Sequence, residues 1–467
     1  MALFRPAPSS GARGVRAPRN SKNAPRVPII MEESEIKRRT NTGSSDSSEA
    51  SMTSESSAKS LVGKNLPGGR SKWSQSTNWE RILWVLKIPL RTTLCMSLLT
   101  VFFFTYHGFM LPVLWARRFW PRLYWFYEGK LYRWLQAFIA SWGITAGYSV
   151  YEYGDDIKDL CEERVLVMCN HQSTADVPTI FAILQNKGVA SRKTLWLMDQ
   201  MFRWTPFGIV GQMHGDYFVR QGKETRHLEP LRLKEHLKDV YWDRDRRWVI
   251  LFPEGGFYYK RIETSQAYGK KHGFPHTEWT TLPRQGCVKA ILEEIGPRES
   301  DDNDNLQKSR SNSKLKLIKD TVDALREKKY IKQTRPPIKY VLDMTIAYPN
   351  GEPLSLMTLS LGTREECDIA VNYKIYRADE VPFEDEDKLR DWMYQVYVEK
   401  DKLLDNYYRE GMFTAGEEGV LVGFSWTKIV FQYIFWFTSA YILAYVYWWL
   451  LKIPFGMASH ILYAIIG

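Results

Sequence analysis

The apolar residues of this 467-residue chain are concentrated near its two ends, and this distribution limits what the chain can fold into. One concentration covers residues 82–146, and the other runs from residue 424 to the C-terminus. Between them, short apolar runs alternate with polar turns and amphipathic segments, which is typical of a soluble domain. The distribution therefore predicts a soluble unit with membrane-seeking segments on both sides.

The N-terminal concentration predicts membrane-associated helices over residues 79–146. Thr92–Trp115 is long enough to cross a bilayer, and His107 is its one side chain that can be charged near neutral pH. Leu123–Ala146 interleaves aromatic residues with two cations, which favours a helix at the headgroup level over a second span. A pair of helices that enters the bilayer and returns and a single crossing both fit this pattern. Buried core helices are the alternative.

The C-terminal concentration, residues 424–467, predicts one transmembrane helix. Ile429–Leu451 is apolar and carries three tryptophans, which favour the membrane interface, and it is followed by Lys452 and Pro454 as closing residues. The remainder, Ile453–Gly467, is too short to predict a second span.

Residues 1–78 predict a disordered tail, because they are rich in Ser, Gly, Pro, Arg and Lys and contain almost no aromatic residues. No apolar stretch lies close to Met1, so a cleaved signal peptide is not expected. The basic residues of the tail favour the cytosolic side of a membrane by the positive-inside rule.

The net charge of +11 raises the question of a nucleic-acid partner. The Lys and Arg residues are scattered, however, and no zinc-finger, RNA-binding or basic-zipper pattern accompanies them. We therefore expect no nucleic-acid partner, and an anionic lipid bilayer is the favoured one. The five cysteines show no C-x-x-C spacing, which indicates reduced thiols in a domain that faces the cytosol.

Residues 147–415 predict a catalytic α/β domain in which helices flank a central mixed sheet. Its C-terminal part, 384–413, is helical, and the polar stretch 296–314 is a surface loop. The predicted strands are Arg164–Met168, Thr194–Met198, Asp216–Val219, Trp248–Phe252 and Tyr340–Ile346. The predicted helices are Val177–Leu184, Pro230–Val240 and Leu389–Tyr408.

His171 follows the first predicted strand, and Asp176 follows His171 by five residues. Such a histidine can act as a general base, because the carboxylate would fix its tautomer and stabilise the imidazolium. On a continuous helix the two side chains would lie about 140° apart, so they meet only if Asp176 begins the helix. The alternative is structural, with Asn170 or Ser173 as a helix cap and Asp176 as an acid in the first turn.

Phe252-Pro253-Glu254-Gly255 follows a second apolar run. A functional interpretation gives Glu254 a substrate hydroxyl to hold, while Gly255 and Gly256 allow backbone N–H groups to approach a developing oxyanion. The alternative is an ordinary turn that ends a strand, with a solvated glutamate. Neither this turn nor the His171 turn is specific by itself.

In this order, each after an apolar run, the two turns resemble the first and third motifs of the glycerolipid acyltransferase superfamily, Asn-His-x-x-x-x-Asp and Phe-Pro-Glu-Gly. Three further segments resemble its subgroup that reacylates lysophospholipids and lysocardiolipin: Leu282–Gly286, Leu342–Tyr348 and Glu399–Tyr408. The similarity covers residues 80–415, and its most specific part is 165–290.

This resemblance implies an acyl-CoA donor, a lysophospholipid acceptor and the endoplasmic reticulum membrane. The acceptor would be lysophosphatidylglycerol, lysophosphatidylethanolamine or lysophosphatidylinositol. His171 would remove the proton from the acceptor hydroxyl as it attacks the thioester, with Asp176 orienting the imidazole and no acyl-enzyme. No cofactor is implied, because acyl-CoA is a co-substrate.

The resemblance also implies an acceptor site that includes Glu254 and Gly255. Arg220 matches the second motif approximately and would be a phosphate ligand, and Arg284 is either a substrate ligand or a paired surface arginine. The Thr-Arg that follows the Glu-Gly turn in relatives acting on small phosphate monoesters is replaced here by Gly256-Phe257. This departure argues against lysophosphatidic acid as the acceptor.

Other chemistries receive less support. Ser173 and Cys169 could be proposed as nucleophiles, but the chain has no G-x-S-x-G elbow. His214 and Asp216 lack the spacing of a metal site, so no metal is expected. Three classes of function stay open: a membrane-bound O-acyltransferase that uses acyl-CoA, a lipid hydrolase with the same His and Asp, and an inactive membrane scaffold.

Overall fold

A computed structural model describes residues 77–222, 224–225, 227–298 and 335–466. The tail predicted over 1–78 lies outside the described residues except for its last two. The surface loop predicted over 296–314 lies outside them after residue 298.

The described residues form an α/β fold, as predicted. In chain order its elements are α1 (Asn78–Met110), α2 (Ala116–Phe119), α3 (Pro121–Thr145), β1 (Ser149–Gly154), β2 (Val165–Cys169), α4 (Asp176–Leu184), β3 (Thr194–Asp199), α5 (Pro206–His214), β4 (Tyr217–Val219), α6 (Glu229–Val240), β5 (Trp248–Leu251), α7 (Tyr258–His272), α8 (Gln285–Ile295), β6 (Tyr340–Ala347), α9 (Leu356–Leu361), β7 (Asp368–Arg377), α10 (Glu386–Glu410), β8 (Val420–Leu421) and α11 (Trp426–Ile466).

The strands form one mixed sheet in the order β4-β3-β5-β2-β6-β7-β1-β8. The first five in this order are parallel to one another, whereas β7 is antiparallel to β6 and parallel to β1. The short β8 pairs antiparallel with β1. The carboxyl ends of β4, β3, β5, β2 and β6 therefore lie at one edge, where open α/β sheets carry their active sites.

Two helical layers cover the sheet, and the alternation of side chains along β2 shows both. Val165, Val167 and Cys169 face the core that includes α1, α3, α4 and part of α11. Leu166 and Met168 face the opposite core, which includes α6, α8 and α10. All five of these β2 residues are completely buried, so the strand is covered on both faces, as expected for the centre of a parallel sheet.

All five predicted strands are confirmed, with bounds shifted by one residue at most, and so are the three predicted helices of this region. The prediction lacked β1, β7 and β8, because the first two carry several polar residues and the third has only two residues. It also lacked four helices, namely α5, α7, α8 and α9. Two of these are short, and α7 is mostly polar, so the apolar pattern that reveals a helix is weak in them.

The first apolar helix begins and ends earlier than predicted. α1 ends at Met110 rather than continuing to Trp115, and its apolar part long enough to span a bilayer is Val85–Met110. Pro112 explains the end, because a proline disfavours helical geometry at the residue before it and removes a backbone donor. Residues 111–115 form turns instead.

The prediction of a headgroup-level helix over Leu123–Ala146 is wrong for most of its length. Fourteen residues of α3, from Tyr124 to Gly143, are buried in the protein, and the helix packs on α4. Leu123 and Phe126, near the start of α3, remain exposed. An apolar helix buried by protein and one buried by lipid have similar compositions, so the sequence alone did not separate the two cases.

The C-terminal helix is longer than predicted. α11 continues through Pro454 to Ile466, so Lys452 and Pro454 do not close it. A proline inside a helix removes one hydrogen bond, and helices that face a membrane tolerate this loss when neighbouring groups compensate. The part of α11 with the length and hydropathy of a span is Trp426–Pro454.

A fully buried polar cluster fastens the N-terminal helices to the sheet domain. Glu128 of α3 accepts one hydrogen bond from the hydroxyl of Tyr106 of α1 at 2.8 Å, and the same carboxylate oxygen lies 2.8 Å from Nδ1 of His214. The guanidinium of Arg246 lies 3.7 Å from the second carboxylate oxygen of Glu128. Burial alone would raise the pKa of Glu128, but His214 and Arg246 instead lower it to about 2. Helices α1 and α3 are thus held by electrostatics as well as by apolar packing.

Candidate active site

The parallel pairing of β2 with β5 brings the two sequence motifs together. Met168 of β2 is opposite Leu251 of β5 in the register. His171 lies three residues after Met168, and Glu254 lies three residues after Leu251, so both enter the turns at the same sheet edge. The backbone N–H of His171 donates to Oε1 of Glu254 at 2.9 Å, which joins the two turns directly.

His171 and Asp176 form the predicted pair. Nδ1 of His171 lies 2.8 Å from Oδ2 of Asp176, and α4 begins at Asp176, which is the geometry that this spacing requires. Asp176 is completely buried, and its carboxylate also accepts hydrogen bonds from the backbone N–H of Ser173 at 2.9 Å and the hydroxyl of Tyr348 at 2.6 Å. These three contacts fix the carboxylate, which in turn fixes the imidazole.

The imidazole of His171 lies between two aromatic rings. It stacks on Phe252 with ring centroids 4.1 Å apart, and Phe257 approaches at 4.3 Å. The side chain of His171 is 15% exposed, whereas its partner Asp176 is 0% exposed. Since Nδ1 is directed to Asp176, Nε2 is the ring nitrogen available to a substrate.

Glu254 is buried and bonded to the protein, whereas the sequence predicted that it holds a substrate hydroxyl. It is only 2% exposed, and its second oxygen, Oε2, accepts hydrogen bonds from the hydroxyl of Thr281 at 2.7 Å and the backbone N–H of Thr281 at 3.3 Å. Burial raises its pKa, and the donors from Thr281 and His171 oppose this rise. Glu254 therefore clamps the His171 turn to the Thr281 segment, and it does not face outward to hold a substrate hydroxyl.

The turn after Glu254 requires glycine. Gly255 has a φ of +70°, and a β-carbon there would lie 3.2 Å from the side chain of Arg284. Its N–H donates to the carbonyl of Phe252 at 3.1 Å, so this N–H does not serve an oxyanion. Of the two glycine N–H groups, that of Gly256 is the one without an acceptor among the residues that the structure describes.

Arg284 and Gln221 contact the rim of the same turn. Arg284 donates from Nη1 to the side-chain oxygen of Gln221 at 3.4 Å, and Gln221 donates to the carbonyl of Gly255 at 3.4 Å. Arg220 precedes Gln221 and is exposed, and its backbone N–H bonds to Glu229 at 3.1 Å. Of the two arginines predicted for the site, Arg284 thus lies against Gly255. Arg220 does not contact this turn itself, and only its neighbour Gln221 does.

Arg261 is a contact of the site that the sequence did not assign. Its Nε donates to the carbonyl of Gly255 at 3.1 Å, and a β-carbon on Gly256 would lie 2.8 Å from the same nitrogen. The start of α7 at Tyr258 is the feature that could have indicated Arg261, because a helix that begins there directs a side chain of its first turn back toward the glycines. Arg261 and Arg284 together place two cations around the Glu-Gly-Gly turn.

The residues considered for other roles have structural contacts. Asn170 is not a helix cap, because its side chain bonds to both the N–H and the carbonyl of Ile346, at 2.8 and 2.9 Å. The Ser173 hydroxyl accepts from the N–H of Ala175 at 3.0 Å, and burial raises the pKa of the Cys169 thiol well above its ordinary value. His214 is bonded to Glu128 and not to the His171 pair.

In the described parts of the chain, no group of three or more His, Cys, Asp or Glu side chains is arranged to hold a metal ion.

Comparison with known proteins identifies the family. A family model for an acyltransferase domain matches residues 150–282, and a model for an acyltransferase C-terminus matches residues 360–436. The chain is 41% identical over 290 residues to human acyl-CoA:lysophosphatidylglycerol acyltransferase 1, covering 62% of this chain and 73% of the human protein. The chain belongs to the acyltransferase family. Its activity is therefore that of an O-acyltransferase, as the sequence motifs predicted.

Two further acyltransferases show the same relationship. The mouse acyl-CoA:lysophosphatidylglycerol acyltransferase 1 is 40% identical over 290 residues, with 62% of this chain and 73% of the mouse protein covered. A putative 1-acyl-sn-glycerol-3-phosphate acyltransferase from Caenorhabditis elegans is 27% identical over 324 residues, with 69% and 75% covered. Within this family the sequence motifs most resemble acyl-CoA:lysophosphatidylglycerol acyltransferase, and the two mammalian relatives confirm this resemblance.

Proposed function

We propose that this acyltransferase is membrane-bound and transfers a fatty acyl chain from acyl-CoA to the free hydroxyl of a lysophospholipid, in phospholipid remodelling. Lysophosphatidylglycerol, lysophosphatidylethanolamine and lysophosphatidylinositol are the proposed acceptors. The observation that carries the proposal is the contact of His171 with the buried Asp176, 2.8 Å long, beside a glycine turn with two arginines. The names of the two mammalian relatives support the choice of a lysophospholipid.

In the proposed reaction, Nε2 of His171 takes the proton of the acceptor hydroxyl as its oxygen attacks the thioester carbonyl. Asp176 holds the tautomer in which Nδ1 carries the proton, and it stabilises the imidazolium that forms. The new ester bond forms as the carbon–sulfur bond breaks, and the imidazolium can return its proton to the departing thiolate of CoA. No acyl-enzyme and no cofactor take part, since acyl-CoA is a co-substrate.

The developing oxyanion needs a donor, and the N–H of Gly256 is the proposed one, since that of Gly255 is already bonded to Phe252. Arg261 and Arg284 are proposed as the ligands of the acceptor phosphate, with Arg220 as a further cation on the same rim. Arg261 would take the place of the arginine in the Thr-Arg pair that follows the Glu-Gly turn in relatives acting on small phosphate monoesters. A guanidinium suits this task, because its planar fork matches phosphate oxygens.

An acceptor-by-donor matrix tests the function. Purified protein in lipid nanodiscs would be given acyl-CoA species of different chain length with each lysophospholipid, and release of free thiol and formation of the diacyl product would both be measured. We expect thiol release to require a lysophospholipid and to match product formation. Full release with water alone would indicate a hydrolase instead, and no release with any pair would indicate an inactive scaffold.

Replacement of Arg261 by Ala is expected to raise the KM for the lysophospholipid about tenfold while kcat changes little. A charged hydrogen bond of this kind contributes about 1.5 kcal/mol or more to binding, and it is made to the ground state as well as to the transition state. Arg261→Lys should give an intermediate KM, because it keeps the charge and loses the planar fork. Lys270→Ala, at the exposed far end of the same helix α7, is the matched control. An unchanged KM in Arg261→Ala would remove the residue from the phosphate site.

We also propose that the bilayer contacts the outer faces of α1 and α11. The two helices pack on each other through Phe102 and Trp436, and the hydroxyl of Tyr447 donates to the carbonyl of Gly108. Two positions along this part of α1 also contact α3, since Arg91 donates to the carbonyl of Thr145 and Tyr106 donates to Glu128. Such a helix lies along the domain, which favours insertion from one side over a simple crossing.

Exposed aromatic and apolar side chains near the active-site edge support the same membrane orientation. Met201 and Trp204 follow β3 at the carboxyl edge and are 73% and 76% exposed. Residues of this type are favoured at a membrane interface, where a lysophospholipid could enter without leaving the lipid phase. The proposed location is the endoplasmic reticulum membrane, with the active site on the cytosolic side, because acyl-CoA is cytosolic, large and anionic.

The sidedness can be measured with glycosylation acceptor sites. A site engineered into the 296–314 segment should remain unmodified in cells, because that segment belongs to the catalytic region. The same acceptor sequence attached after residue 467 would report the side on which α11 ends. Modification of the 296–314 site in an active protein would contradict a cytosolic active site.

A further inference from the structure

The segment Glu399–Asp401 is a motif of the C-terminal region whose role the proposed reaction does not explain. It lies in α10, within the part of the chain matched by the acyltransferase C-terminus model. On the active-site side of the sheet, α10 makes contacts through Asp401, Lys400 and Tyr397. These contacts connect the C-terminal region to the turns that carry His171 and Glu254.

Asp401 makes the most concentrated of these contacts. Its Oδ1 accepts hydrogen bonds from the backbone N–H groups of Trp279 at 2.7 Å and Thr280 at 2.8 Å, and from the hydroxyl of Thr280 at 3.1 Å. The N–H of Glu278 lies 3.0 Å from its Oδ2. One carboxylate therefore satisfies three successive backbone donors of the 278–280 turn, which would otherwise need water or other acceptors.

The turn held by Asp401 leads directly to Glu254. Thr281, the next residue, donates both its hydroxyl and its N–H to Oε2 of Glu254, and Oε1 of Glu254 accepts from the N–H of His171. On the other side of the turn, the side chain of Gln172, the neighbour of His171, donates to the carbonyl of Trp279 at 3.0 Å. The turn is thus connected to the His171 segment by two separate routes.

We propose that Asp401 is a positioning residue of the active site: it fixes the 278–281 turn, through which Thr281 holds Glu254 and Glu254 holds the backbone of His171. This inference rests on the proposed function for its activity readout. It assigns to the acyltransferase C-terminal region the task of bracing the catalytic turns. Asp401 acts through other residues and does not contact the substrate.

Two neighbouring side chains of α10 hold the helix in the position from which Asp401 reaches the turn. Lys400 is completely buried, and its Nζ lies 3.0 Å from Asp343 of β6 and donates to the carbonyl of Met344 at 2.6 Å. One turn earlier, the hydroxyl of Tyr397 donates to the carbonyl of Cys169 at 3.3 Å, at the end of β2. α10 is therefore fastened to β2, which leads into the His171 turn, and to its neighbour β6.

The test compares Asp401→Ala, Asp401→Asn and Asp405→Ala in the full-length protein in nanodiscs. Asp401→Ala is expected to lower kcat about tenfold and to leave both KM values within twofold, because small displacements of catalytic groups cost rate more than binding. Asp401→Asn should recover most of the activity, since its amide oxygen can take the position of Oδ1. Asp405 lies one turn further along α10 and contacts the same turn only through the indole N–H of Trp279, so Asp405→Ala is the matched control.

Hydrogen exchange gives a second measurement that does not depend on activity. The peptide that contains residues 277–281 should exchange faster in Asp401→Ala than in the wild type, and the control should exchange as the wild type does. A wild-type kcat in Asp401→Ala, or wild-type exchange of this peptide, would overturn the proposal. If the wild type transferred no acyl group, the proposed function would fail, and the exchange result would still decide whether Asp401 holds the turn.

Discussion

We expect His171→Ala to lower kcat for acyl transfer by about three orders of magnitude. A positioned general base contributes about 10²–10⁴-fold, and here it is also held by a completely buried carboxylate. The KM for acyl-CoA should change little, because the imidazole gains its strongest interaction as the proton moves in the transition state. Release of CoA thiol with the best lysophospholipid of the acceptor panel is the measurement.

His272→Ala is the matched control for this replacement. His272 is exposed at the end of α7, on the helix that follows the glycine turn, and its ring lies against those of Tyr268 and Phe274. Its activity should equal that of the wild type. Thiol release by His171→Ala at the wild-type rate with every acceptor would show that the general base is another group.

The sequence could predict those contacts of the site whose partners are close together in the chain. His171 and Asp176 are five residues apart, and a strand end followed by a helix start is sufficient to bring them together. Glu254 could be placed at the same sheet edge, because apolar runs precede both turns. Its partner Thr281 lies 27 residues away, so no local pattern revealed that Glu254 holds the backbone instead of facing a substrate.

The same limit applies to Arg261 and Asp401. The contact of Arg261 with Gly255 depends on where α7 begins, and α7 is too polar to show a clear helical face. The contact of Asp401 with the 278–280 turn spans more than 120 residues, and both β6 and β7 lie between its partners in the chain. Motif resemblance marked the segment of Asp401, but only the fold gives it a physical task.

The fold itself could be predicted where the sequence shows a clear pattern of buried residues. β2 and β5 are continuous apolar runs because helices cover both faces of the sheet, whereas β4 is a short strand at its edge. The apolar helices were harder to place, because burial against protein and burial in lipid call for the same side chains. α3 shows this most clearly. Its buried Glu128 would be energetically unfavourable in lipid, and in the protein it is paired with Arg246 and His214.

Replacement of Glu128 by Gln is expected to lower the free energy of unfolding by about 3 kcal/mol or more at pH 7, because it leaves the buried guanidinium of Arg246 without its carboxylate. Denaturant titration of the purified protein in detergent is the measurement. Glu162→Gln is the matched control, since Glu162 also faces an arginine, Arg247, at 3.5 Å but is 65% exposed. An exposed pair of this kind contributes less than about 1 kcal/mol.

The pH dependence of the Glu128→Gln effect has a definite sign. The pKa of Glu128 in the folded protein is lowered to about 2, against an ordinary value of 4.5, mainly by His214 and Arg246 acting against the effect of burial. A carboxylate with a lowered pKa stabilises the fold above its unfolded value, and this contribution is lost as the pH falls through the folded value. The difference between wild type and Glu128→Gln should therefore be constant above about pH 5 and shrink between pH 4.5 and pH 2. Because glutamine does not titrate, a difference that stayed constant down to pH 2 would show that the loss comes from packing and not from the charge that joins α3 to the sheet domain.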